Sequence, residues 1–215
     1  MLRHWLYLTA WAAIAFVFVF PADAWLSHFL EPLPIGGDVK RTLQTIQQFG
    51  DLPTLILIGL VIFLLDPRRR RLLYFMAGNA LAVAVACWVL KICLGRPRPV
   101  LQNPWMLILP WETYPLPAKD HPDGSIAVHA WNLAHPGIAS LWSTPSSHTA
   151  AAVALAMFLY RLYPALKPLL IAVVVIVAVA RVLLQAHYLS DVVLGAWVGY
   201  SISLVILRRV EIAKI

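Results

Sequence analysis

Long apolar runs broken by short polar segments organise this chain. Trp5–Phe20, Pro53–Leu65, Leu72–Ile92, Thr149–Tyr163, Leu166–Leu184 and Val192–Leu207 each read as a membrane crossing, about six in all. Several are shorter than the roughly 20 residues that cross a bilayer, so their helices extend into flanking residues. The second extends toward Asp51, with Pro53 suited to a first helical turn. The pattern predicts an all-α integral-membrane bundle of about six transmembrane helices, a single domain over residues 1–215. Two further segments lie outside the spans. Asp38–Gly50 places Val39, Leu43, Ile46 and Phe49 on one helical face, with Asp38 as cap, and reads as an interfacial helix. Pro99–Trp142 is a long, proline-rich outer loop with Trp105, Trp111, Trp131 and Trp142, residues that favour the headgroup layer. A loop of that length reads as a lid, a binding loop or plain surface.

Composition agrees. The 215 residues are 61% hydrophobic and only 13% charged, against about 25% charged in soluble domains. A net charge of +7 would suit nucleic acid, but much of it falls in short loops between apolar runs, which excludes that partner class. Arg3, Arg68, Arg69, Arg70, Arg71, Arg161, Lys167, Arg208, Arg209 and Lys214 share one side, which should be cytoplasmic. Lys40, Arg41, Lys91, Arg96, Arg98, Lys119 and Arg181 fall on the other. Arg3, an apolar stretch and Ala22-Asp23-Ala24 are similar to a secretion signal, although the apolar run is long for one, which favours a retained anchor. Cys87 and Cys93 point to different sides of one predicted helix, so no disulfide is expected.

Three polar clusters interrupt the apolar pattern, and all fall on the non-cytoplasmic face. Ionisable groups beside hydrocarbon are costly and usually functional. In the first, Lys91 ends a long apolar helix, and Gly95 and Pro97 break it so that Arg98-Pro99 can turn back. Two cations held together suit a phosphate, which guanidinium grips at two oxygens; snorkelling anchors are the plainer reading. Arg96 reads as a headgroup anchor. The second cluster, Pro145-Ser146-Ser147-His148, opens a span. Serines there cap a helix, but a helix start also favours a bound anion, and a histidine can protonate a leaving oxygen. The third holds Arg181, His187 and Asp191. His187 and Asp191 are four apart, on one face if the backbone is helical, either as a structural pair or as a nucleophile and its orienting carboxylate. Lys91, Arg98 and Arg181 would repel a divalent cation, so no metal and no other cofactor is expected. His121, His129 and His135 read as solvated loop histidines.

In this order and spacing the clusters resemble the type 2 phosphatidic acid phosphatase superfamily over roughly 72–207. The correspondence runs through Lys91 with Arg98-Pro99, through Pro145-Ser146-Ser147-His148, and through Ala180-Arg181 with His187 and Asp191. Ser147 stands where the family has glycine, and Ala180 where it has serine. The resemblance implies His187 as nucleophile, Asp191 as its orienting group and His148 as general acid and base. Lys91, Arg98, Arg181, Ser146 and the Ser147 amide would hold the phosphoryl oxygens. It further implies a metal-independent hydrolase acting on a lipid phosphate or diphosphate in the bilayer. The location implied is a plasma membrane, a bacterial inner membrane in that case, with the site facing the periplasm or exterior. A phosphotransferase using the same residues is the nearest alternative, and an anion-binding transporter is the alternative from another class.

Overall fold

The computed structural model describes residues 2–31, 33, 35–118 and 124–212; Lys119, His121 and Lys214 lie outside them. Eight α-helices are present among the described residues: α1 (Leu2–Val19), α2 (Ala22–Leu30), α3 (Gly37–Ile46), α4 (Leu52–Leu65), α5 (Leu73–Cys93), α6 (Ser147–Leu162), α7 (Lys167–Leu183) and α8 (Leu189–Ile212). The protein is an integral-membrane helical bundle, and α1, α4, α5, α6, α7 and α8 match the six apolar runs. Residues 67–93, 164–183 and 189–208 are long and apolar enough to cross a membrane, and α1 and α2 form a further pair bent by 61° at Pro21. At 1.5 Å per residue the 14 residues of α4 cover only about 21 Å. Val17, Leu65, Tyr74 and Val175 are exposed, an outer surface suited to hydrocarbon.

Two findings differ from the sequence expectations. The outer loop folds a two-stranded antiparallel hairpin, β1 (Tyr114–Pro117) on β2 (Ser125–Val128), over a small core with Ile108, Ala130 and Leu141. Tyr114, Leu116 and Val128 turn inward, so this loop has an interior of its own. α3 is capped by Gly36, while Asp38 sits inside its first turn and pairs with Arg41 at 3.3 Å. Beyond the first apolar run, Pro21 ends α1 and opens α2.

α6 is the central helix and packs most tightly on α8. Gly195 and Gly199 permit this: a Cβ at either would lie 2.4 Å from the Ser146 carbonyl oxygen and 2.3 Å from that of Ala150. Backbone meets backbone there, as in small-residue contacts between membrane helices. One end of the bundle is closed by Ile62, Met76, Phe158, Leu162 and Leu207. There Arg69 pairs with Asp66 at 2.5 Å and lies over the Tyr163 ring. Cys87 and Cys93 are both free thiols, Cys87 buried and Cys93 exposed.

Candidate active site

Alternating chain direction brings the polar clusters to one end of the bundle. Lys91 lies in the last turn of α5, Ser147 and His148 open α6, Arg181 lies in the last turn of α7, and Asp191 lies in the first turn of α8. Main-chain bonds then join them. After α5 ends, residues 95–98 run beside 140–143: Arg96 N–H donates to Leu141 O at 2.7 Å, Arg98 N–H to Ser140 O at 2.8 Å, and Ser143 N–H to Arg96 O at 3.0 Å. Gly95 exchanges main-chain bonds with Ile108, and a Cβ there would sit 2.5 Å from the Ala130 methyl. Lys91 Nζ donates to Trp142 O at 2.6 Å. Ser146 N–H donates to Asp191 O at 3.0 Å, which ties the start of α6 to α8. The Thr144–Pro145 peptide is cis.

His187 stands in the α7–α8 turn, two residues ahead of α8, so its spacing from Asp191 is not helical. Arg181 O accepts both Ala186 N–H and His187 N–H, and Gln185 takes φ +53° to close the turn. His187 Nδ1 lies 2.5 Å from Ser143 O. A carbonyl only accepts, so Nδ1 carries the proton and Nε2 keeps its lone pair. Burial and the nearby Lys91, Arg181 and Arg98 hold this imidazole well below its ordinary range, hence neutral near pH 7. Asp191 is 3.9 Å from Nδ1, beyond hydrogen-bond distance. Its Oδ2 accepts Ser143 Oγ–H at 2.5 Å and Tyr188 N–H at 2.9 Å, the second being the reciprocal half of a helix capping box. Asp191 therefore reaches His187 through Ser143.

The remaining candidates divide by their partners. Ser146 is buried and its hydroxyl bonds that of Thr149 at 3.0 Å. Ser147 begins α6 in helical conformation, which serine adopts freely, and first-turn amides have no intrahelical partner. Arg181 donates to Gln47 Oε1, just past α3. The Nε atoms of Arg98 and Arg181 are buried with no hydrogen-bond partner, the state expected of a pocket shaped for an anion. Burial also pushes the Arg98 guanidinium down, with Asp191 opposing. Both imidazoles are within electrostatic reach of the same three cations, Lys91, Arg98 and Arg181.

The sequence marks Asp51 only as the start of α4. Its Oδ2 lies 3.5 Å from His148 Nε2, and burial raises its carboxyl against the lowering effect of Arg181. Arg96 is the larger correction. It is no headgroup anchor: only 1% exposed, it pairs with Asp23 at 2.9 Å and with Asp191 at 2.6 Å. His129 and His135 are half-buried, and each has a local main-chain partner: Glu112 O for His129 Nδ1 and Gly137 N–H for His135 Nδ1.

A groove of about 620 Å³ runs from this site along α4 and α5. Asp51, Ser147 and His148 form its polar end, and Leu55, Met76, Ala80 and Ala84 form its apolar walls.

The PAP2 superfamily model matches residues 71–214, two thirds of the chain and all three clusters. This protein belongs to the PAP2 superfamily. A similar solved structure is that of a transmembrane PAP2-type phosphatidylglycerolphosphate phosphatase from Bacillus subtilis, 18% identical, with TM-score 0.57 and 96% of each chain covered. At that identity the likeness concerns the PAP2 fold. No curated protein matches the chain. α1 to α4 lie outside the PAP2 match, so Asp23, Gln47 and Asp51 reach the site from beyond the family region.

Proposed function

We propose that this protein is a metal-independent membrane phosphatase that hydrolyses a lipid phosphate or diphosphate through a phosphohistidine. The observation that carries this reading is geometric: Lys91 bonds Trp142 O, His187 bonds the adjoining Ser143 O, and the Nε atoms of Arg98 and Arg181 stay buried without a partner at the end of the bundle where His148 opens α6. His187 Nε2 attacks phosphorus, and the bond to the leaving oxygen breaks as His148 protonates that oxygen. Water then attacks the phosphohistidine, gives its proton to His148 and releases inorganic phosphate. Lys91, Arg98, Arg181 and the α6 amides hold the phosphoryl oxygens, whose charge redistributes in the transition state. Such fixed cations in a water-poor pocket supply the stabilisation that metal ions give elsewhere.

The groove accounts for a lipid. Its polar end holds His148, and its apolar walls suit an acyl or prenyl tail lying between α4 and α5. The distribution of Lys and Arg supports placing the site at the non-cytoplasmic face. PAP2 membership and the named activity of the structural relative are consistent with this chemistry. The test is phosphate release by the purified protein from a panel of lipid phosphates and diphosphates with EDTA present. Release that depends on EDTA-removable metal, or full activity in His187→Ala, overturns the mechanism. Labelled phosphate passed to an added lipid or sugar acceptor instead of water identifies a transferase.

A further inference from the structure

Behind Asp191 lies a closed polar lattice that the catalytic scheme above does not use. Arg96 Nη1 donates to Asp191 Oδ1 at 2.6 Å and to Ser190 Oγ at 2.7 Å, and Nη2 donates to Asp23 Oδ2 at 2.9 Å. Its Nε donates to Pro104 O at 3.0 Å. The side chains of Arg96, Asp23 and Asp191 are at most 2% exposed. Asp23 also accepts Ser190 N–H at 3.0 Å and bonds the Ser190 hydroxyl, so it caps the start of α8 from another helix. The guanidinium is roofed by Tyr188, 4.3 Å from the ring centre, and by Phe20 at 5.1 Å. α2 adds a second hold: Ser27 Oγ–H donates to Gln185 Oε1 at 3.1 Å, within the turn that carries His187. Leu26 and Leu30 pack there on Val182, Leu189 and Val192.

We propose that Asp23 and Arg96 are positioning residues of the active centre, and that α2 is a brace for the catalytic turn. This rests on the phosphatase reading. Asp191 has its Oδ1 on Arg96 and its Oδ2 on Ser143 and Tyr188, so its carboxylate has one orientation. That orientation fixes Ser143, whose carbonyl sets the proton of His187. Arg96 also grips Ser143 directly through its main-chain oxygen. A buried guanidinium shared by two carboxylates is stable only while both are present; removing one leaves charge uncompensated. Asp23 thus supports Asp191 by neutralising and locking Arg96. A chain cut after Ala24 would lose this carboxylate.

Charge gives a signature that a merely structural role lacks. His187 is faced by Lys91 from α5, Arg98 from the following segment, Arg181 from α7 and Asp191 from α8. Asp23→Asn deletes a negative charge behind this group, which disfavours its protonation. Arg96→Gln deletes a positive one, which favours it. The experiment uses the full-length protein in detergent and reads two quantities: the acid limb of kcat/KM, and the His187 titration by NMR of histidine-labelled protein, assigned with His187→Gln. Asp23→Asn is expected to lower kcat about tenfold or more with KM nearly unchanged, and to move the limb to lower pH by about half a unit. Arg96→Gln is expected to move it the opposite way. Asp23→Asn is nearly isosteric and carries the test alone if Arg96→Gln does not fold. An unmoved titration in the folded variants overturns the proposal, even if activity falls. A wild-type protein that releases no phosphate overturns the phosphatase reading, while the NMR titration still decides this one.

Discussion

His187 Nδ1 meets the main-chain oxygen of Ser143 at 2.5 Å, whereas the carboxylate of Asp191 stays 3.9 Å away. A main-chain group therefore sets the tautomer, and side chains set the position of that group.

This separates two substitutions that a direct His–Asp contact would make equivalent. Ser143→Ala keeps the carbonyl and loses only the hydroxyl to Asp191. It is expected to lower kcat by about tenfold. Asp191→Ala also strips Arg96 of one of its two carboxylates and the Tyr188 N–H of its acceptor, and is expected to cost about 10³-fold or more, as His187→Ala does. Steady-state kinetics on one lipid phosphate, with folding checked by chromatography, compares them.

The pH profile follows from the surroundings of His187. Burial, then Lys91, Arg181 and Arg98, depress its protonation below the ordinary value of 6.5. On the proposed mechanism the neutral ring attacks, so the acid limb of kcat/KM that His187 sets is expected below pH 6.5. Lys91→Met removes a positive charge, protonation becomes easier, and the acid limb is expected to shift to higher pH. Normalised kcat/KM against pH reads the shift apart from any loss of binding.

The groove predicts a substitution that depends on the substrate's tail. Ala80 and Ala84 line it at the α5 side, and tryptophan at either would fill part of its 620 Å³. Ala80→Trp and Ala84→Trp are expected to raise KM for a long-chain lipid phosphate about tenfold. A short-chain soluble phosphate ester should show little change. Equal effects on both substrates would place the tail elsewhere.

The α6–α8 contact predicts a stability cost. At Gly199 a new Cβ would lie 2.3 Å from Ala150 O, a main-chain atom that cannot rotate away. Gly199→Ala forces the helices apart at an expected cost of about 1–3 kcal/mol. A thermal melt in detergent should fall by several degrees, roughly 2–4 °C per kcal/mol for a chain of this size.

Much of the bundle was legible because apolar runs record burial and lipid exposure directly. The candidate site residues were legible because charge is rare in such runs: Lys91, Arg98, His148, Arg181, His187 and Asp191 stand out against their neighbours, and the fold brings them to one end. What stayed hidden depended on tertiary pairing. Arg96 carries the same sequence signal as an anchoring arginine. Only its two partners, Asp23 from 73 residues earlier and Asp191 from 95 later, make it a buried hub. Asp51 looked like a helix-start residue, and its approach to His148 required Gly50 to bring the start of α4 against the Ala151–Ala152 backbone of α6. The hairpin at Tyr114–Pro117 was masked by its prolines, which read as loop although an edge pair tolerates them. The His187–Asp191 spacing suggested a helix, but the turn at Gln185 replaces it.

Ile56 and Leu81, which line the α4–α5 groove, are themselves exposed, so the groove opens onto the apolar outer surface of the bundle. If the substrate is a lipid as proposed, it would arrive there by diffusing within the sheet of lipids, and water need never carry it. Turnover would then follow the substrate's mole fraction among its neighbours instead of its bulk molarity. Adding inert lipid at fixed substrate amount would slow the enzyme by surface dilution alone.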